Sequence, residues 1–328
     1  MAMAALILFA ACSKDGEGVY NPKKKIANLY QSSMYIYSWH DEVNDQWIAD
    51  TSSEAKTLVE SWTWDGKKLA KITFYEHRNV TEKDGAEVYD VVNFTYDGKR
   101  VTRAEGNDEY ITFVYDGKEV KSAVLFDKEH PDLPEAQFDF EHKDGKIVKI
   151  NITIEGDGFD FAKSSTVHLE KVLFRNILPE FDKAEEAVAK INTAVQKSGA
   201  KAQTTIPIEL TWSGDNVSEM TVKMTLLGMV ATSNNKYTYD NKNNPYQNYL
   251  FGMVNVMDDG TMTIFCKNNV TKIFAEESFS DMTETEEVNY TYTYDGDWPV
   301  SQTIIRTYED EDGESKKYST VTNYFEYK

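Results

Sequence analysis

Apolar and polar residues alternate along most of the chain. In the clearest run, Val148, Ile150, Ile152 and Ile154 fall on one side, while Lys149 begins the polar series on the other. Successive side chains of a strand point to opposite faces, so this period of two predicts strands with one buried face and one face in water. Runs of this kind predict roughly fourteen to sixteen strands in total.

The first of these runs covers Met34–Trp39. A polar stretch, Asp41–Thr57, separates it from the next run. Because this stretch lacks an apolar alternation, it predicts a long surface connection rather than a strand.

A short motif, aromatic-Asp-Gly-Lys, separates many of the runs. It occurs at Trp64–Lys67, Tyr96–Lys99 and Tyr115–Lys118, with variants at Lys143–Lys146, Trp212–Asp215, Tyr239–Lys242 and Tyr294–Asp297. Gly and Asp tolerate the left-handed backbone region, so the motif predicts two-residue hairpin loops centred on Asp-Gly. The aromatic residue and the Lys of each motif are expected to pair across their own hairpin.

One segment follows a helical period instead. Phe181, Ala184, Val188, Ile191 and Val195 fall on one stripe and predict a single long helix near residues 180–197. The fold class is therefore all-β: a large antiparallel meander that closes into a barrel or a strongly curved sheet, with this one helix.

The N-terminus has the features of a targeting segment. Residues 1–11 are almost wholly apolar, but they are too few to cross a bilayer as a helix, which takes about 20 residues. Phe9–Cys12 resembles the lipobox of bacterial lipoproteins, in which the Cys becomes the acylated first residue. We therefore expect a signal peptide at 1–11, a lipid anchor on Cys12 with a flexible tether at 12–28, and a single barrel-like domain at 29–328.

Charge limits the partners of this protein. The 328 residues include 35 Lys or Arg and 55 Asp or Glu, a formal net charge of −20. Binding to nucleic acid needs clustered positive charge to neutralise phosphates, so nucleic acid is not an expected partner. The 41% hydrophobic content is ample for a sizeable core.

Motifs for catalysis or metal binding are missing from the sequence. The five histidines are not spaced as zinc ligands, and neither a Cys-x-x-Cys pair, a Gly-x-Ser-x-Gly elbow nor a phosphate loop occurs. We therefore predict no catalytic residue, no metal and no cofactor. Carboxylates are abundant, so a hydrolase with a paired acid stays as a distant alternative.

The high content of aromatic residues is the feature of the composition that most favours ligand binding. The chain holds 20 Tyr and 6 Trp. Most are expected in the core, because aromatic residues favour strands and packing. The weak candidates for ligand contacts are Trp39, Trp47 and Trp62, near the polar stretch, and Tyr290, Tyr292 and Tyr294, which share one face of a strand.

Several of these features together resemble a known family. The lipobox, the hairpin repeats and the segment Tyr237–Tyr246 followed by Lys267–Thr271 resemble a Bacteroidetes lipoprotein family of unknown function with a described porin-like β-barrel fold. The resemblance implies an outer-membrane lipoprotein. Lys14-Asp15 resembles the tag that exports such lipoproteins to the cell surface, so the surface is favoured over the periplasmic face.

The expected barrel is nevertheless water-soluble. Charged residues such as Lys71, Lys121 and Lys149 lie in mid-strand, where a lipid-facing wall would be apolar. The first functional hypothesis is a non-catalytic, lipid-anchored protein that binds a glycan, a peptide or a small apolar ligand. The alternative is a structural or protein-interaction component of the cell envelope.

Overall fold

A computed structural model describes residues 16–41, 46–75, 88–154, 204–226, 229–250, 261–279, 282–309 and 315–328. These described residues form sixteen strands. They are β1 Ile26–Asp41, β2 Gln46–Asp65, β3 Lys68–Tyr75, β4 Val88–Asp97, β5 Arg100–Glu105, β6 Glu109–Asp116, β7 Glu119–Asp127, β8 Pro134–Lys143, β9 Lys146–Ile154, β10 Thr204–Ser213, β11 Asn216–Leu226, β12 Met229–Asn243, β13 Asn268–Phe279, β14 Met282–Asp295, β15 Trp298–Glu309 and β16 Ser315–Tyr327.

The sheet closes on itself. Each strand pairs antiparallel with its sequence neighbours, and β1 completes the ring by pairing with β16 from Ile26↔Tyr327 to Trp39↔Ser315. The all-β prediction and closure into a barrel are confirmed. A short 3-10 helix occupies Thr261–Phe265, and the described residues contain no α-helix. The helix predicted near 180–197 lies outside the described residues.

Six tight turns lie at one end of the barrel, here called the turn end; the opposite end is the far end. They connect β2–β3, β4–β5, β6–β7, β8–β9, β10–β11 and β14–β15. The prediction that Asp-Gly occupies both central positions is correct for Asp144-Gly145, where both φ angles are positive. It is wrong for the other five, in which Gly is the first central residue and alone has positive φ, at Gly66, Gly98, Gly117, Gly214 and Gly296. This is the geometry of a type II′ turn.

A β-bulge follows each tight turn and sets which residues face inward. In β9 the register shifts between Ile147 and Lys149, so Val148 is the extra residue. Ile147, Ile150 and Ile152 are 2%, 0% and 2% exposed. The prediction that Val148 belongs to the buried series is therefore wrong, because the bulge moves the series by one residue at its start.

The aromatic residue before a tight turn joins its hairpin to the preceding one. The Trp64 and Trp212 Nε1 atoms donate hydrogen bonds of 2.7 Å to the carbonyls of Ile26 and Ile147. The Tyr96 and Tyr115 hydroxyls donate to the carbonyls of Leu69 and Val101 at 2.8 and 2.7 Å. These bonds, together called the inter-hairpin seam, connect strands that have no turn between them at this end.

Basic residues cover the rings of the seam. Lys68 Nζ lies 5.2 Å from the centre of the Tyr96 ring, and Lys146 Nζ lies 5.2 Å from that of Trp212. Lys146 also donates to the Gly214 carbonyl of the neighbouring turn. The expected pairing of aromatic and Lys within one hairpin is thus replaced by pairing between adjacent hairpins, since the bulge carries the ring toward the preceding strand.

The polar stretch after the first run is mostly strand. β2 begins at Gln46, and its residues pair with β1 from Asp41↔Gln46 to Asn28↔Ser61. Residues 46–53 are all exposed, so this part of the hairpin extends past the core. A strand of this kind needs no apolar alternation, because main-chain hydrogen bonds to β1 hold it. The prediction of a loop over Asp41–Thr57 is therefore wrong for 46–57.

Two segments cover the inside of the turn end. Part of the predicted tether, residues 16–25, crosses this end: Glu17 N donates to the Lys118 carbonyl at 3.0 Å, and the Tyr20 hydroxyl donates to that of Pro245 at 2.7 Å. Residues 244–250 and 261–267 lie between β12 and β13 in the chain and pack beside residues 16–25. Cys266 is fully buried there. These two segments are called the cap.

The seam predicts a measurable loss when one donor is removed. Tyr96→Phe leaves the Leu69 carbonyl without its donor while keeping the ring, and we expect it to lower the free energy of unfolding by about 1–2 kcal/mol. Urea unfolding measures the change. Tyr110→Phe is the matched control, because its ring stacks on Phe126 and its hydroxyl takes no part in the seam. Equal losses in both variants would contradict a specific role for the seam.

Candidate ligand-binding site

The inner face of β1 changes character from the turn end to the far end. Leu29 is 0% exposed and belongs to the core, and Ser33, four residues on, is a buried polar residue. Tyr35 and Tyr37 follow on the same face and are 47% and 44% exposed. The unbroken register of β1 with β16 keeps these residues on one face.

A polar layer crosses the inner wall at the middle of β1. Gln31 Nε2 donates to Asn323 Oδ1 at 3.1 Å, Asn323 Nδ2 donates to Gln302 Oε1 at 3.0 Å, and Gln302 Nε2 donates to the Tyr292 hydroxyl at 3.0 Å. These bonds join β1, β16, β15 and β14. Asn323 is buried, whereas Gln31 and Gln302 are half-buried. A buried amide needs hydrogen-bond partners, and the two glutamines supply them to Asn323.

Three aromatic residues continue the inner face of β1 beyond the polar layer. Tyr35, Tyr37 and Trp39 alternate along the strand, with their Cα atoms about 7 Å apart. The Tyr37 and Trp39 rings stack at 5.4 Å between centroids and 26° between planes. The three residues are called the aromatic ladder.

Polar residues of the two neighbouring strands border the ladder. On β2, Ser52 lies opposite Tyr35 and Asp50 lies opposite Tyr37. On β16, Ser319 lies opposite Tyr35. Exposed rings next to hydroxyl and carboxylate groups offer stacking surfaces together with hydrogen-bonding partners. The arrangement suits a ligand that has both an apolar face and polar edges.

The turn end of the interior is closed by packed aromatic rings. Tyr20 of the cap lies 5.6 Å from Trp64 and 5.1 Å from Tyr249, between ring centroids. Trp62 lies 5.1 Å from Tyr249, and Tyr246 contacts Phe325 of β16 edge-on at 6.0 Å. The cap therefore forms an apolar floor, and the polar layer lies between it and the ladder.

Glu60 is a carboxyl group buried at this floor. Its residue is 5% exposed, and Trp62 Nε1 donates to its Oε2 at 2.7 Å. Desolvation raises the pKa of Glu60 to about 7, and the bond from Trp62 opposes the shift. Burial is the main cause that raises the pKa values of the three cap tyrosines, Tyr20, Tyr246 and Tyr249. The negative charge of Glu60 raises these pKa values further.

The six aromatic candidates from the sequence separate into two groups. Trp39 joins the ladder, and Trp47, which is 49% exposed, lies on the opposite face of the same hairpin because it pairs with position 40. The other four pack within the barrel: Trp62 at the floor, Tyr290 in a smaller apolar cluster, Tyr292 in the polar layer, and Tyr294 stacked on Tyr292. Cys12 lies outside the described residues.

Sequence reasoning missed three residues of this region. Tyr35 and Tyr37 carried a signal, since they alternate with Trp39 in the first predicted strand. No sequence signal indicated Glu60, because the local pattern does not distinguish a carboxylate that faces the interior from one that faces solvent.

Among the described residues, one acidic group has spacing that fits a metal ion. Ligand atoms of Asp127, Glu129 and His130 lie within 4.8 Å of one another. Glu129 and His130 are exposed, and exposed acidic groups of this kind are common without an ion, so we assign no metal here.

The described helical residues include no helix long and apolar enough to span a bilayer. No protein-family model matches the chain, and no curated protein sequence matches it.

The chain has distant likenesses among solved structures, of which two are given. A porin-like protein from Bacteroides vulgatus aligns over 93% of this chain and 99% of its own, with 10% identity and a TM-score of 0.40. A double mutant of transferrin binding protein B from Haemophilus parasuis aligns over 92% of this chain and 76% of its own, with 8% identity and a TM-score of 0.17. Likenesses at these TM-scores carry no argument, so the barrel is defined here by its own strand register.

Glu60 predicts a pH dependence of stability. Its folded pKa lies above the unfolded value of about 4.3, so the folded state holds the proton more tightly. The stabilisation is therefore complete below about pH 4.3 and decreases until about pH 7, by about 4 kcal/mol in total. We expect Glu60→Gln to remove this decrease, measured by urea unfolding at about pH 5 and about pH 8.

Glu141→Gln is the control, because Glu141 is an exposed carboxyl on the outer wall. It should keep the wild-type difference between the two pH values. The same pH dependence in wild type and Glu60→Gln would contradict the assignment.

Proposed function

We propose that this protein is an exported, lipid-anchored envelope protein that binds a neutral glycan at its aromatic ladder without catalysing a reaction. The observation that carries the proposal is the aromatic ladder on the inner face of β1, where Tyr35 and Tyr37 are exposed and the half-buried Trp39 stacks on Tyr37. Large aromatic rings left exposed at one place, beyond the packed core that the described residues form, favour a binding surface.

A glycan suits the chemistry of the ladder better than a purely apolar ligand. One face of a sugar ring presents C–H groups, which pack on aromatic rings, and its edge carries hydroxyl groups. Asp50 and Ser52 on β2 and Ser319 on β16 lie beside the rings and supply acceptors and donors for such hydroxyls. A wholly apolar ligand would leave these polar groups without partners.

The charge of the protein favours a neutral glycan over an acidic one. The formal net charge is −20, and Asp50 lies directly beside the ladder. A polyanionic polysaccharide would be repelled at long range and again at the site.

The proposed location is the outer membrane, with the cell surface favoured. The lipobox-like sequence before Cys12 supports an acyl anchor, and Lys14-Asp15 supports surface export. The outer wall supports a barrel that stands in water, because Lys121, Glu141 and Glu209 of three different strands are exposed and charged side chains on this face would be costly against lipid.

One observation favours a second candidate, a protein-interaction component of the envelope. Within the part of the chain that the structure describes, residues 46–59 of β2 pair only with β1. A strand edge of this length is able to accept another strand through main-chain hydrogen bonds. The ladder ranks first because an edge alone selects no partner.

The ladder predicts a specific loss of glycan binding. In native affinity electrophoresis against neutral and acidic polysaccharides, the wild-type protein should be retarded by a neutral polymer. Tyr37→Ala combined with Trp39→Ala should weaken that binding by at least about tenfold, the effect of about 1.4 kcal/mol of lost ring contact.

Trp47→Ala is the matched control, because it removes an exposed ring from the opposite face of the same hairpin. It should leave the retardation unchanged. An equal loss of retardation in the control would indicate that the glycan binds at the β2 edge rather than at the ladder. If no polysaccharide alters the mobility of the wild-type protein, the proposal of glycan binding is wrong.

A further inference from the structure

The turn end carries a basic surface on one half of its rim. The turns at 65–68, 97–100, 116–119 and 143–146 hold seven Lys or Arg and five Asp or Glu, and Lys23, Lys24 and Lys25 of the cap lie at the same end. This is an excess of positive charge in a chain whose net charge is −20. The four exposed lysines of these turns, called the basic arc, are Lys67, Lys99, Lys118 and Lys143.

Three turn carboxylates on the other half of this rim are held in ion pairs, one of them by a lysine of the cap: Lys24 Nζ lies 2.5 Å from Asp295 Oδ2. Lys267 Nζ lies 3.3 Å from Asp215 Oδ2, and Lys242 Nζ lies 2.8 Å from Asp297 Oδ1. These pairs are partly exposed and contribute little to stability. They do offset much of the negative charge that this half of the rim would otherwise present.

The chain enters the barrel beside the basic arc. Besides the bond from Glu17 N to the Lys118 carbonyl, the Glu17 carboxylate accepts a 2.7 Å bond from Val120 N and lies 3.0 Å from His142 Nε2. Val101 N donates to the Gly18 carbonyl at 3.1 Å. Residues 17 and 18 are therefore fixed against the β4–β9 side of the turn end.

This fixed entry limits where an anchor on Cys12 can lie. The four residues from Cys12 to Gly16 reach at most about 14 Å when fully extended. A bilayer that holds acyl chains on Cys12 therefore lies close to the turn end, on the side where the basic arc is exposed. The position of the entry and the sign of the charge are independent observations, and both indicate the same face.

We propose that the turn end docks on an anionic bilayer surface through the basic arc. The inference rests on the anchor in the proposed function, and it adds an orientation to it: the aromatic ladder points away from the membrane. Lysine side chains are attracted to a negatively charged membrane surface within about a Debye length. The contact therefore depends on anionic headgroups and weakens as the salt concentration rises.

Vesicle binding tests the docking apart from acylation. The protein is residues 12–328 with Cys12→Ser, which retains every contact described above, and the probes are phosphatidylcholine vesicles with and without about 30% phosphatidylglycerol. We expect co-sedimentation with the anionic vesicles only, falling as salt rises. Lys67→Glu combined with Lys143→Glu should weaken it by at least about tenfold.

The matched control is Lys223→Glu combined with Lys236→Glu, two exposed lysines of the outer wall that give the same change in net charge. It should weaken vesicle binding much less. Equal weakening by both pairs, or no preference for anionic vesicles, would overturn the docking. Both double variants should keep polysaccharide retardation, so loss of docking and loss of glycan binding are distinguishable.

Discussion

At the turn end, the barrel wall depends on side-chain hydrogen bonds between adjacent hairpins, which no turn connects at this end. Within a hairpin a short turn fixes the register, whereas adjacent hairpins at the turn end are held by side chains. Trp64, Tyr96, Tyr115 and Trp212 each donate to a carbonyl of the preceding strand. Without these donors the carbonyls would lie near the core and lack partners, which costs more than the bond itself contributes.

The seam also explains why the two ends of the molecule differ. It needs bulges and aromatic residues at the turn end, and the rings that it gathers there form an apolar floor with Tyr20 and Tyr249 of the cap. β1 and β2 continue past this core, where they pair with each other through the main chain. The inner face of β1 and β2 is not packed against the core in this part, and the aromatic ladder lies on it.

In the two proposals, glycan binding and membrane docking, the two ends of the barrel have separate tasks. The turn end holds the N-terminal segment and presents lysines to a lipid surface, and the far end presents rings and polar groups to a glycan. Glu60 lies between them, at the floor, where burial raises its pKa to about 7. The stability of the floor is thereby linked to pH, although the group contacts neither proposed surface.

The sequence by itself determined the all-β class, the approximate number of strands and the position of six tight turns, but not of a seventh, because the motif Tyr239–Lys242 lies within β12. These features follow from a period of two and from turn chemistry, which are local. Only the tertiary structure decided which residues face inward, because bulges shift the series, as at Ile147 and Val148. The tertiary structure also decided that Trp62 lies in the floor and Trp39 in the ladder, and that residues 46–57 form a strand. Burial and strand pairing depend on neighbours distant in the chain, and local pattern does not encode them.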